Sequence, residues 1–222
     1  MSFDEEGDVD RLGLADRPDE SRLEWLRPSQ PRVPVDVAVT RPRVIRAAVR
    51  TADWISFAVG ASTDRLRWAI EVAREESERC GREWSELKLG AYVPVVVHDD
   101  PVEAQGLIEG GVALFARFST MHGSVIGPAS EHDKGVFADV HRSYDMRHHA
   151  QVGSAQAAVI DPEFAAHFAI LGNTDYCVQR IAEITELGIT RLVVTGPSIG
   201  ADKAMAIAAT DRFVGEVMPE FD

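Results

Sequence analysis

Two cysteines are few for 222 residues, and Cys80 and Cys177 stand far apart with no CxxC spacing. That excludes a disulfide framework and the usual thiolate metal motifs, so both thiols are expected to be reduced and buried in a cytoplasmic protein without a secretory leader. Basic residues are scarce too: 23 Lys and Arg stand against 36 Asp and Glu, a formal charge of -13. Nucleic acid and anionic membrane surfaces both call for a basic face, so neither is expected as a partner. No apolar run approaches the roughly 20 residues that cross a bilayer. The first residues are acidic where a signal peptide would be basic, and the chain is expected to be soluble. GxGxxG and Walker loops are absent, and nothing repeats at a fixed short period. What remains is a chain with 45% hydrophobic residues, long enough to bury one real core and suited to a small-molecule or protein partner.

Along the chain, residues 1–34 are acidic and poor in apolar residues, with several prolines toward the end. They bury too little to offset ordering entropy and are expected to form a largely disordered tail. From Val35 the pattern changes. Val35 to Val39 reads as a buried strand, and Pro42 starts a helix with Ile45, Ala48, Val49 and Ala52 on one face. A second strand, Trp54 to Val59, leads through Gly60 to a helix ending near Gly81. The third strand, Leu87 to Val97, is followed by Asp100-Pro101-Val102-Glu103, a helix start with cap, proline and capping-box glutamate. The fourth strand, Arg191 to Thr195, comes only after a long excursion, Ser119 to Gly188. Within the excursion the clearest helix is Asp175 to Leu187, capped by Thr174. Strand and helix alternate four times, which implies parallel strands.

Five stretches carry a resemblance: VPVDVAVTRP (33–42), TADWISFAVGAS (51–62), GAYVPVVVHDDPVEA (90–104), YDMRHHAQVGSAQ (144–156) and FAILGNTDYCVQRIAEITELGITRLVVTGP (168–197). In order and spacing they are similar to the second half of the luciferase-like monooxygenase superfamily, which includes methylenetetrahydromethanopterin reductases and other deazaflavin-dependent enzymes. The resemblance implies an α/β fold, a partial TIM (β/α)8 barrel. Residues 35–222 would supply about four βα units, the fifth to eighth, with a helical insertion before the last strand. It also implies an oxidoreductase using coenzyme F420 or FMN on a small-molecule substrate. The family's early strands hold most of the ring-binding and acid–base groups, so no catalytic residue is assigned. The alternative is a non-catalytic half-barrel that serves in binding or assembly, or a truncated gene product.

Barrel ligands sit at the C-terminal strand ends, where loops vary and helix N-termini point inward. The candidate cofactor contacts are therefore Ala38, Val39, Thr40 and Arg41, then Gly60 and Ala61, then Thr195 and Gly196. Arg41 can pair with a phosphate oxygen, or Thr40 can merely cap the helix beside a solvated Arg41. Thr195 to Gly200 exposes amides ahead of a helix, which suits an anion, although glycine and proline mark any turn. His122, His132, His141, His148 and His149 cluster in the excursion at spacings that match no zinc pattern, so no metal site is expected. Gly110-Gly111 inside a helical pattern reads as close packing, and Trp54, Trp68 and Trp84 as core or rim aromatics. Four parallel strands leave two edges, so a homodimer or pairing with an N-terminal half-barrel is expected. Val37, Val39, Ile55, Phe57 and Val193 would then point into the barrel centre.

Overall fold

The structure, a computed structural model, describes residues 31–221, so most of the acidic segment expected to be a flexible tail lies outside the described residues. The first strand, β1 (Asp36–Val39), leads to α1 (Pro42–Thr51), with Pro42 in the first turn, where its missing N–H costs nothing. β2 (Trp54–Phe57) turns through Gly60 into α2 (Thr63–Cys80), whose start is capped by Ser62 and whose end is Gly81 in the left-handed conformation. β3 (Lys88–Val97) runs into α3 (Pro101–Thr120), capped by the Asp100 carboxylate.

The excursion folds into α4 (Glu131–Ser143), α5 (Pro162–Phe168), a three-residue strand β4 (Ile170–Gly172) and α6 (Thr174–Thr185). The cap of α6 is Asn173, which accepts from the Tyr176 N–H, and Thr174 is already the first helical residue. β5 (Arg191–Thr195) follows, then α7 (Lys203–Arg212), continued by a π turn and a final 3-10 turn to Phe221.

All pairings between these strands are parallel, as the alternation predicts. β1 pairs β2, β2 pairs the first half of β3, β5 pairs its middle, and β4 pairs only Val95 to Val97 at its far end. β4 is the addition the sequence did not disclose. One face of the sheet, with Val39, Ile55, Phe57, Leu89, Ala91 and Val93, is buried in one core with Ile45 and Val49 of α1, Leu66 of α2 and Ile184 of α6. Helices ring the outside of a parallel barrel, so this is the outer face.

The expectation that Val37, Val39, Ile55 and Phe57 fill the barrel centre is therefore reversed, because they belong to the helix-covered face. Val193, in step with Arg191, alone of that set lies on the opposite, lumenal face. A second core joins Val96 to α3, α4 and α5, with Phe137, Phe164 and Phe168 packed ring on ring. Cys177 is buried as expected, but Cys80 is exposed on the last turn of α2.

Candidate functional site

The lumenal face is polar at the start of its strands. Ser56 Oγ donates to Asp36, and the Arg191 guanidinium donates to both Asp36 and Ser56 while lying over the Trp54 ring, 4.1 Å from its centroid. Lys88 approaches the same indole at 5.3 Å. Gly90 makes this crossing feasible: a Cβ there would stand 2.8 Å from Ser56 Oγ. Ser56 is fully buried, so the network holds a polar layer in place under the strand ends.

Toward the C-terminal ends, α3 crosses the lumenal face. Tyr92 of β3 stacks on Phe115 at 5.8 Å, and Phe115 meets Phe118 edge to face. One end of the crossing is tied to the loop after β5: the Ser198 N–H donates to Leu107 O at 2.7 Å, and the Gly111 N–H donates to Ser198 Oγ at 2.9 Å. Leu107 and Gly111 are an i, i+4 pair, so Ser198 bonds to both ends of one rung of the helix's hydrogen-bond ladder. The other end is tied to β1: Thr40 Oγ1 donates to Phe118 O, and Arg41 donates to Ser119 O and Ser124 O. Between them Gly110 passes so close to Gln151 that a Cβ would fall 2.6 Å from its carbonyl, which is the close packing the glycine pair suggests.

The candidate contacts are thus gathered on one rim, and most of their polar groups are engaged. Arg41 is the N-cap residue of α1 but makes no side-chain cap, and its guanidinium braces the end of α3. Thr40 does not cap α1 either. Val39 is buried and Ala38 exposed. Gly60 has φ +87°, and a Cβ there would stand 2.7 Å from the Phe168 ring. Ala61 is enclosed: its N–H donates to Phe168 O and its carbonyl accepts from Arg180. In the last loop the Ser198 and Ile199 amides donate to Leu107 and Ala150, and the α7 N-terminus is capped by the Asp202 carboxylate. A phosphate would meet few free donors there. Thr195 differs. Its Oγ1 is buried at the lumenal end of β5 without a hydrogen-bond partner among the described residues, a state costing about 1–3 kcal/mol unless a ligand atom fills it.

A residue the sequence gave no reason to single out is Arg65, 4% exposed, which donates to Val59 O, Pro128 O and Ser119 Oγ. Burial lowers its pKa to about 10 against the opposing pull of Asp133, so it stays charged at neutral pH. It fixes the loop before α4 to the end of β2. A cavity of about 360 Å³ beside it is walled by Ser62, Pro128, Asp133, Phe164 and His167. Its charged groups already have partners: Asp133 serves the Ser130 capping box and faces His167 at 3.5 Å.

The clustered histidines are dispersed into separate contacts. His132 pairs with Asp161, His148 with Asp145, and His149 with the Tyr144 hydroxyl. Among the described residues no three His, Cys, Asp or Glu side chains converge, and no helix is long and apolar enough to cross a membrane.

Residues 14–191 match the family described as luciferase-like monooxygenase. Among curated proteins, the 5,10-methylenetetrahydromethanopterin reductase of Methanolobus tindarius is 24% identical over 181 residues, 79% of this chain and 51% of that protein. Its counterpart in Methanopyrus kandleri is 27% identical over 192 residues, 85% of this chain and 51% of that protein. The chain spans about half the length of the curated relatives it matches. Among solved structures, the coenzyme F420-dependent tetrahydromethanopterin reductase from Methanopyrus kandleri superposes with a TM-score of 0.57 at 22% identity, over 86% of this chain and 51% of that one. At that identity the likeness is one of fold.

Proposed function

The chain belongs to the luciferase-like monooxygenase family, and from that membership we propose that it forms the C-terminal half of an F420- or FMN-dependent oxidoreductase barrel acting on a small-molecule substrate. The observation that carries the reading is the Thr195 hydroxyl, buried and without a partner among the described residues at the C-terminal rim of a parallel sheet whose outer face is covered by α1, α2 and α6. When bound, such a coenzyme supplies hydride transfer or oxygen activation. This chain's residues hold and shield it. Thr195 Oγ1 offers a hydrogen bond to a polar ring-edge atom, with Ala38, Val39, Gly60, Ala61 and Gly196 shaping the same rim. The aromatic pair Tyr92 and Phe115 excludes water from one side. Thr40 and Arg41 act by bracing α3 above the ring. The phosphate cradle and the acid–base groups are then to be supplied by a second half-barrel.

A second reading, a non-catalytic half-barrel for binding or assembly, draws support from one feature: Arg41 Nη1 and the Ser198 and Ile199 amides are engaged within the chain. Titrating the purified 222-residue chain with F420 or FMN, followed by tryptophan fluorescence and visible absorbance, separates the two. Weak saturable binding that Thr195→Val abolishes, with little or no turnover by the chain alone, is expected for the oxidoreductase half. Absence of binding by the chain both alone and with a supplied N-terminal half-barrel would favour the binding module.

A further inference from the structure

The helical pair of the second core is fastened crosswise. His132, in the first turn of α4, reaches the Asp161 carboxylate, its Nε2 standing 2.9 and 3.1 Å from the two oxygens. His167, near the end of α5, approaches Asp133 in that same first turn of α4 at 3.5 Å. Each aspartate also serves a helix start: Asp161 caps α5 by accepting from the Phe164 N–H, and Asp133 completes the capping box of Ser130. The apolar part of the joint is Phe137 of α4, set edge to face against Phe164 and Phe168 of α5.

Asp133, Phe137, Phe164, His167 and Phe168 line the cavity of about 360 Å³ described above, and Ser62, Asp64 and Arg65 at the start of α2 complete it. Ser62 directly follows Gly60 and Ala61, so the cavity lies just beyond the C-terminal end of β2, next to the candidate rim. The α4–α5 joint is therefore what closes this cavity on the side away from α2.

The charges acting on His132 are all negative. They are Asp161 at the cap of α5, Glu163 in the first turn of α5 and Asp133 on its own helix. α3 reaches the same corner with the neutral Gln105, whose amide donates to Ile160 O at 2.8 Å. Around His167 the groups are Asp133 of α4 together with Asp64 and Arg65 of α2. The hydrogen bond to Asp161 first, and then these carboxylates, hold the His132 imidazole above its ordinary pKa against the opposing effect of burial. The Asp161 carboxyl, which burial would push up, is brought below its ordinary value by the Phe164 N–H and by His132.

We propose that the α4–α5 joint is a proton-operated clasp on this cavity. With His132 charged the clasp is held shut; as pH rises through the range in which His132 gives up its proton, the start of α4 parts more readily from α5 and the cavity opens beside the rim. The sign follows from linkage: a histidine that holds its proton more tightly in the folded protein stabilises below its unfolded pKa and loses that contribution as pH rises through the folded one. Asp161, being depressed, contributes above its own unfolded value, so the clasp is strongest between the carboxylate and histidine ranges. Arg65, with a pKa of about 10, keeps its charge throughout, so its hold on Pro128 is not the part that changes. The His132 and Asp161 side chains are 41% and 37% exposed, so water screens the pair and the effect is a few-fold change in opening, not all-or-none. The clasp stands on this geometry alone and is independent of the oxidoreductase reading.

Hydrogen exchange of the full chain, corrected for the intrinsic pH dependence of exchange, tests this at about pH 5.5 and about pH 8. The opening constant of α4 and α5 amides relative to those of β2 is expected to rise roughly threefold between the two. His132→Gln can still donate to Asp161 but cannot take up a proton, and should remove most of that rise; protection of its β2 amides reports that the variant is folded. A side-chain titration followed by nuclear magnetic resonance gives a second readout: His132 should titrate above an ordinary histidine in the wild type and move back toward the ordinary value in Asp161→Asn, which retains a cap for α5. A wild-type ratio that is the same at both pH values, a full rise retained in His132→Gln, or a His132 titration unmoved by Asp161→Asn overturns the proposal.

Discussion

Gly60 shows how a single residue is dictated by its surroundings. Its φ of +87° is a conformation that a Cβ opposes, and the Phe168 ring occupies the place a methyl group would take. Gly60→Ala is expected to cost about 1–3 kcal/mol through strain and overpacking together, visible as a lowered urea midpoint at unchanged slope. Thr195 should behave in the opposite sense. Replacing a buried hydroxyl without a partner by an isosteric methyl removes an unpaid desolvation, so Thr195→Val should raise the thermal midpoint slightly while weakening any coenzyme binding. A fall in the midpoint would mean the hydroxyl has a partner in the free protein. Glu76 gives a pH dependence. Arg79 first, then Arg50, hold its carboxyl down at about 2, against 4.5 unperturbed, and these two arginine side chains rather than deep packing shut it off from water. A depressed carboxylate stabilises the fold fully above its unfolded value and progressively less as pH falls toward about 2. Acid unfolding of Glu76→Gln should therefore show a shallower dependence on pH between 4.5 and 2 than the wild type does.

At the scale of elements, α3 is the piece the sequence described least well. Its start was legible, since Asp100 and Pro101 are unambiguous, and Leu107, Ile108, Val112 and Phe115 fall at helical spacing on one apolar face. What the pattern could not say is where that face goes. An apolar helix after a strand is expected on the outer face, whereas α3 crosses the lumenal side, and the Ser198 clasp and the Arg41 brace that hold it there join residues far apart in sequence. The same limit explains the reversed strand faces: Val37, Val39, Ile55 and Phe57 alternate correctly, but alternation identifies two faces without labelling them. β4 was missed because three residues are too few to show a period. Gly110→Ala, placing a methyl against the Gln151 carbonyl, is expected to dislodge the middle of α3 at a cost of about 1–3 kcal/mol or more, measurable by chemical denaturation, whereas Gly106→Ala, facing open space, should be neutral or stabilising.

For the molecule as a whole, two cores share one strand. β3 directs Leu89, Ala91, Val93, Val95 and Val97 into the core under α1, α2 and α6, and Val96 into the core of α3 to α5. The second core reaches the sheet mainly through β3, β4 and the Gly60–Phe168 contact. Such an arrangement should open in parts. In native-state hydrogen exchange, amides of α4 and α5 are expected to exchange through a lower-energy opening than those of β2 and the first half of β3, and Phe137→Ala should widen that gap; identical opening energies for both regions would indicate one cooperative unit. The family, the parallel sheet and the rim were all legible from local patterns. Which rim groups remain available was not, because availability depends on contacts between distant segments.

The Ser198 contact has a consequence in time. Gly111 and Ser198 are separated by 87 residues, so at common rates of synthesis α3 waits on the order of ten seconds on the ribosome before its clasp emerges. During that interval the turn from Leu107 to Gly111 is held without the Ser198 contacts. Arrival of Ser198 then adds two bonds from outside to the same turn. The last strand does more than complete the sheet: it brings the residue that fastens a helix made earlier, and a nascent chain arrested before Ser198 should carry α3 without that clasp.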